Sequence, residues 1–212
     1  QYSMFKLPLS PHRLGTGNPP TAIQERYYTG HGLKVRFAEE EISRPTDWTI
    51  NASSHTVIVH LGGRMDHLET ELDGKGSSFG PAVMGEVWCI PAGRRYASFA
   101  IGTSIQFAVY SIPASPSPSS PDNWNSSDFS PAAGQLNQKL LHQTQRMHEV
   151  LSQRDDLSAL EAESLTNFAL DTIHQSYCPP VNFASRTSRN SPEFTPDQAR
   201  ALREFIHDQL AH

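Results

Sequence analysis

Cysteine is scarce in this chain of 212 residues, which contains only two. Cys89 falls within an apolar run, and Cys178 precedes two prolines in a distant segment. Two cysteines so placed do not make the disulfide framework that supports small secreted domains, so we expect reduced thiols in a cytoplasmic protein. Long apolar runs are also lacking: none reaches the length of a membrane span, and the N-terminus has no signal-peptide core. We therefore expect no membrane contact.

Positive charge is in deficit as well. The 17 Lys and Arg residues face 22 Asp and Glu residues, which gives a formal net charge of −5. A chain with this balance does not bind nucleic acid through its overall charge. The phosphate-loop, dinucleotide and serine-elbow motifs are absent too. With 37% hydrophobic residues, the chain can bury the core of one barrel and a helical layer.

Short apolar runs separated by turn residues fill the segment from 33 to about 110. Residues 33–37 alternate as a half-buried strand does, and the β-branched run 56–61 suits a strand covered on both faces. Strands are also predicted at 68–72, 87–90 and 104–112, with a hairpin signal at Asp73-Gly74. Several short strands at regular spacing indicate a barrel or a sandwich.

The pattern changes at residue 113. Residues 113–134 are rich in Pro, Ser and Asn, which predicts a linker or a surface loop. Two helical patterns follow within 135–178, and the second has an apolar face between Leu157 and Ile173. After a loop-like segment, Thr195 and Pro196 open a third helix with an N-cap and a proline at its first turn.

The first helical pattern has a heptad-like seam. Such a seam either packs on the outside of the barrel within one subunit or pairs with its symmetry mate. The seam consists of Leu136, Leu140, Gln143, Met147 and Val150.

The segment 85–93 is the most specific motif. It begins with Gly85, continues as an apolar strand and ends in Pro91-x-Gly93. This form is similar to the second motif of cupin barrels, in which a metal-ligating histidine lies three positions after the last glycine. Here that position is Tyr96.

The order of barrel, linker and helices resembles bacterial transcription regulators of the AraC/XylS family. Besides segment 85–93, the resemblance rests on the hairpin at 72–74 and on the helix at 195–210, which is similar to the first helix of that family's DNA-binding domain. The chain begins at Gln1, not Met, and both recognition helices would lie beyond His212, so we interpret it as a piece of a longer regulator.

The resemblance implies an α+β architecture, a cupin-like double-stranded β-barrel (jelly roll) followed by an α-helical dimerisation segment. The expected division is an N-terminal arm at 1–30, an effector-binding barrel at 31–112, the linker 113–134, the helical segment 135–178, and a linker with the first helix of a truncated helix-turn-helix domain at 179–212. The implied function is small-molecule sensing in a homodimer that reaches DNA only through the missing C-terminal domain. The resemblance favours the twofold dimer as the use of the helical seam.

The histidine pattern argues against a metal cofactor. A cupin metal site needs about three histidines and a carboxylate, and its first motif contains His-x-His. This chain has His55, His60 and His67 but no His-x-His, and the fourth ligand position is Tyr96. We therefore predict no metal, no cofactor and no enzymatic activity. The alternative is a cupin metalloenzyme, an isomerase or a dioxygenase, with a non-standard metal site.

Six residues are candidates for binding an effector. His60 shares the parity of Thr56 and Ile58 and could point into the barrel, although a core histidine bonded to a carbonyl explains it as well. The other candidates also have structural explanations: an aromatic side chain could simply fill the barrel, and the arginines could be solvated. The candidate set is Arg36, His60, Trp88, Arg94, Tyr96 and Phe107. A barrel filled by side chains, which serves only dimer or partner contacts, is a further alternative.

Overall fold

The computed structural model describes residues 17–30, 32–73, 75–114, 129–153 and 156–178. In these ranges the chain forms eight strands followed by two helices, and no helix among them is long and apolar enough to cross a bilayer. The strands are β1 (Thr21–Gly30), β2 (Leu33–Glu41), β3 (Thr46–Ile50), β4 (His55–Leu72), β5 (Gly76–Phe79), β6 (Glu86–Ile90), β7 (Tyr96–Ile112) and β8 (Ala132–Leu136), and the helices are α1 (Gln138–Val150) and α2 (Asp156–Tyr177).

Two long antiparallel strands, β4 and β7, run through both layers of the barrel. In the first layer the strand order is β1-β2-β7-β4-β6-β8, and in the second β3 pairs with β7 and β5 pairs with β4. The pairing of β4 with β7 shifts register near Gly62 and Gly63, where the strands pass between layers. Gly63 has φ +103, and a Cβ there would lie 2.4 Å from the Ser104 carbonyl oxygen, so this bend requires glycine. The resulting architecture is the cupin-like barrel predicted from the sequence.

The central strands of the first layer carry buried apolar side chains on both faces. On β7, Ala108 and Tyr110 point outward and are fully buried against the helices, whereas Phe107 and Val109 line the barrel interior. This alternation produces two apolar cores. The outer core joins the sheet to α1 and α2, and the inner core joins the two layers around Trp88.

Helix α1 is held against the outer face of the barrel. Its N-cap, Asn137, accepts a hydrogen bond from the Leu140 amide at 3.0 Å, as asparagine does at helix starts. The Tyr110 hydroxyl lies 2.7 Å from Thr144 Oγ1. Because the Thr144 hydroxyl donates to the Leu140 carbonyl, the Tyr110 hydroxyl is the donor in the first of these bonds. The barrel and the helix are therefore linked inside one chain.

The helical seam takes part in this packing. Leu140, Met147 and Val150 are 0% exposed within the single chain, and Leu140 and Met147 belong to the core between the helices and the barrel. A helix can pack on its own barrel and also pair with a symmetry mate, so the assignment of the seam to a dimer contact stays a prediction. Leu136, by contrast, is 63% exposed, and Gln143 is half-buried. A homodimer stays a prediction.

Three boundaries differ from the sequence analysis. Residues 21–30, expected within an arm, form the edge strand β1, which is held by main-chain pairing to β2. Residues 132–134, expected in the linker, begin β8, which pairs with β6. The runs 56–61 and 68–72 belong to one strand, because a bulged strand can bend between layers without a turn. The helix predicted from Thr195 lies outside the described residues.

Candidate functional site

A cavity of about 460 Å³ lies inside the barrel. All its walls come from strands or from the segments that join them. The exposed Pro20 and Thr49 mark its rim, whereas His60, Trp88 and Tyr96 are buried. The lining residues are Pro20, Arg36, Asp47, Trp48, Thr49, Ile50, Ala52, Ser54, Thr56, Ile58, His60, Leu68, Ala82, Trp88, Tyr96, Ser98, Ile105, Phe107, Val109 and Ser111.

Strand register explains why these side chains meet. In the first layer Ile58 of β4 is opposite Trp88 of β6, so both face the interior. In the second layer Trp48 of β3 is opposite Ser98 of β7. Since side chains alternate along a strand, the residues two positions away from each of these also face the interior.

Five of the six candidate effector-binding residues line this cavity: Arg36, His60, Trp88, Tyr96 and Phe107. Arg94 does not; it is exposed in the turn between β6 and β7. Whether the five bind an effector stays a prediction. The sequence analysis missed Asp47 and Trp48, although the alternation of Thr46–Ile50 after Pro45 is a strand signal that could have found them.

Arg36 is the cation of the cavity wall, and two carboxylates compensate it. Its Nε lies 2.8 Å from Glu25 Oε1, and its Nη2 lies 2.5 Å from Glu40 Oε1. The second oxygen of Glu40 accepts a hydrogen bond from Trp48 Nε1 at 2.6 Å. The guanidinium carbon also lies 5.5 Å from the centre of the Phe107 ring. Arg36 is thus held in place across β1, β2 and β7.

Three buried polar atoms of the lining residues have no hydrogen-bond partner within the described part of the chain. They are His60 Nδ1, Trp88 Nε1 and Asp47 Oδ1. Burial lowers the pKa of His60 to about 4, so its imidazole is neutral at pH 7. Because buried polar atoms in native proteins are normally paired, these three are positions where a ligand or water would bind.

Tyr96 occupies part of the interior without filling it. The side chain is 4% exposed, and its hydroxyl is hydrogen-bonded to Ser98. Burial raises the pKa of Tyr96 to about 12, with the Ser98 bond acting in the opposite direction, so the phenol stays protonated. The barrel therefore keeps open volume beside a neutral phenol.

The histidines of β4 do not fit a cupin metal centre. His55 Nδ1 accepts a hydrogen bond from the Ala92 amide at 3.0 Å, and its ring stacks on Phe129. His67 Nε2 lies 2.8 Å from Glu69 Oε1, in the other layer. Of these three histidines, the cavity lining includes only His60. Among the described residues, no three His, Cys, Asp or Glu side chains come together to hold a metal ion.

Comparisons with known proteins find similarity in structure alone. No family model matches the chain, and no curated protein matches it. A cupin domain from Bordetella pertussis Tohama I is 18% identical, with coverage of 45% of this chain and 96% of that one and a TM-score of 0.34. An RmlC-like cupin family protein from Methanocaldococcus jannaschii is 8% identical, over 42% of this chain and 81% of that one, with a TM-score of 0.33.

A mutant of Bacillus subtilis oxalate decarboxylase is 14% identical, over 49% of this chain and 28% of that one, with a TM-score of 0.35. At such identities the likeness concerns the fold and not the activity. The strand order and the cavity together describe a cupin-like β-barrel with a helical layer on its outer face.

Proposed function

We propose that the barrel binds a small organic effector and that the chain is the sensing part of a transcription regulator of the AraC/XylS type. The observation that carries the first half is the cavity, whose buried walls combine apolar side chains with unpartnered polar atoms of His60 and Trp88. Ligand pockets have this composition, mostly apolar with a few polar groups that fix orientation. The regulatory half is supported by the motif at 85–93 and by the order of barrel and helices.

The first layer of the barrel provides a route from the effector to the helices. On β7, Phe107 and Val109 line the cavity, and the adjacent Tyr110 contacts Thr144 of α1. An effector that binds two arrangements of this layer with different affinity shifts the balance between them, and it can shift it only by that difference. The helices would carry the shift toward the DNA-binding part of the regulator.

Transcript profiling in the source organism tests this proposal. Three strains are compared with the wild type: a deletion of the gene, a replacement Ile58→Trp, and a replacement Leu160→Trp. Ile58 lines the cavity, so an indole there removes much of its volume, whereas Leu160 is 63% exposed on α2 and serves as the matched control. We expect Ile58→Trp to change a set of transcripts that the deletion also changes, and Leu160→Trp to leave them at the wild-type level.

Two outcomes would contradict the proposal. If the deletion leaves the transcripts unchanged under conditions in which the protein is made, the chain does not regulate transcription. If the deletion changes transcripts and Ile58→Trp does not, at equal protein abundance, the cavity is not the sensor. Protein abundance in each strain is measured by immunoblot.

A further inference from the structure

The charge of the cavity walls limits the ligands that they can accept. We propose that the site selects an uncharged, largely apolar ring compound that carries a hydroxyl or carbonyl oxygen. The inference rests on the proposed function, since it names the chemical class of the effector.

The charged groups at the cavity already have partners or neighbours of opposite sign. Arg36 is paired with Glu25 and Glu40, so it would have to give up one of these ion pairs in order to bind an acidic ligand. Asp47 is the other charged lining residue, and one of its oxygens accepts a bond from the Gly17 amide. An anion would meet the Asp47 carboxylate and would find Arg36 already paired. A cation would have Asp47 as its one lining partner of opposite sign and would leave the Trp88 Nε1 donor without an acceptor.

An uncharged ligand avoids this conflict. Moving an ion out of water costs several kcal/mol. Among the lining residues, Arg36 is already paired, and only the half-buried Asp47 carboxylate could offset part of that cost, for a cation alone. Desolvating a single hydroxyl or carbonyl costs about 1–3 kcal/mol, and one well-placed hydrogen bond offsets most of it. The electrostatics therefore favour a neutral molecule with few polar atoms.

The unpartnered atoms show where the ligand's polar atoms would lie. Trp88 Nε1 is only a donor, so it needs an oxygen or nitrogen acceptor. His60 follows Ile58 by two residues on β4, and Ile58 is opposite Trp88, so the two polar side chains are diagonal neighbours on one face. A single hydroxyl or carbonyl oxygen at this position can accept from Trp88. At the rim, Asp47 Oδ1 needs a donor, which a second hydroxyl supplies.

The remaining wall is apolar and in part aromatic. The lining combines the aromatic side chains Trp48 and Phe107 with Ile58, Leu68 and Ile105, which suits the faces and edges of a ring. A volume of about 460 Å³ is near the lower end of the range of ligand pockets, roughly 300–1,000 Å³. The site therefore has room for a small ring system with one or two polar substituents.

Equilibrium dialysis with a matched series of naphthalene derivatives tests the preference on the unaltered chain. The probes are 2-naphthol, 2-naphthoate and 2-naphthylmethylammonium at neutral pH, which share one ring system and differ in charge. We expect 2-naphthol to bind at least about tenfold more tightly than either ion, since a buried ion loses several kcal/mol of hydration. Binding of either ion as tight as that of 2-naphthol overturns the inference and leaves the effector site standing.

The variant Trp88→Phe tests the polar contact, with unsubstituted naphthalene as the control ligand. The variant keeps an aromatic ring and removes the N–H donor, so we expect a loss of about fivefold in affinity for 2-naphthol, as for one neutral hydrogen bond, and no loss beyond twofold for naphthalene. Equal changes for both ligands would contradict the role of Trp88. If none of the four probes binds the unaltered chain, the inference about the ligand class is overturned, while the proposed function is decided separately by the transcript comparison.

Discussion

The neutral, buried His60 makes stability depend on pH in a defined direction. Its pKa is lowered from 6.5 to about 4 by burial, so the unfolded chain binds a proton between these values and the folded chain does not. The stability that this group contributes is therefore complete above pH 6.5 and is lost as the pH falls toward 4. The difference corresponds to about 2 kcal/mol between pH 7.5 and pH 5, and to about 3 kcal/mol at pH 4.

Urea unfolding at several pH values measures this effect, with the variant His60→Phe as the perturbation. The phenyl ring has no titrating group, so we expect the variant to lose about 2 kcal/mol less than the wild type between pH 7.5 and pH 5. His142→Gln is the control: His142 is exposed on α1, so its replacement should leave the pH dependence of the wild type unchanged. If His60→Phe and the wild type lose the same free energy of unfolding over this range, His60 is not buried as described, and the reasoning about this part of the cavity wall is refuted.

Three further predictions concern the barrel and its helices. Thr144→Val should lower the free energy of unfolding by about 1–3 kcal/mol, because the valine leaves the buried Tyr110 hydroxyl unpaired, and Tyr110→Phe should lower it by about 1 kcal/mol. The double variant should lose less than the sum, since its second change removes the unpaired hydroxyl. Additive losses in urea unfolding would contradict the contact. Gly63→Ala should lower the thermal midpoint of unfolding more than Gly32→Ala does. Both glycines have positive φ, but only at Gly63 would a Cβ meet a carbonyl oxygen. Equal shifts of the midpoint would contradict the close approach of the strands at Gly63. Burial, with a smaller effect of Cys178, raises the pKa of Cys89 to about 12, so iodoacetamide at pH 8 should label Cys89 in urea and not in the native protein, as read by peptide mass spectrometry.

Strands were predictable from the sequence where the pattern of apolar residues matches the faces that are buried in the fold. The start of β2 alternates because one of its faces is buried, and β6 runs apolar because both of its faces are covered; the sequence analysis predicted strands at 33–37 and 87–90. Tyr96 was singled out by the resemblance of segment 85–93 to a cupin motif, and it is the first residue of β7. Parity with Ile58 suggested that His60 points into the barrel, whereas Phe107 was a candidate only as an aromatic residue of a predicted strand.

The strands that the sequence analysis missed are those whose side chains contribute little to the apolar core. β1 is exposed along most of its length, so its sequence has no apolar alternation and only main-chain pairing to β2 makes it a strand. β8 has the composition Ala-Ala-Gly-Gln-Leu, which has no strand preference, and it forms because the edge of β6 offers unpaired main-chain groups. Such strands depend on tertiary contacts that a local pattern does not contain.

The helical seam also shows what a local sequence pattern does not contain. A repeat of apolar residues at spacings of four and three indicates that one face of α1 is covered, but it does not indicate what covers that face. The outer face of the first layer has its own apolar row, from Val57 on β4 to Tyr110 on β7, and this row needs cover as much as the seam does. One sheet layer thus carries the cavity on its inner face and α1 on its outer face. Under the proposed function, a shift of that layer would reach Leu140 and Met147 directly, because both pack in the core on its outer face.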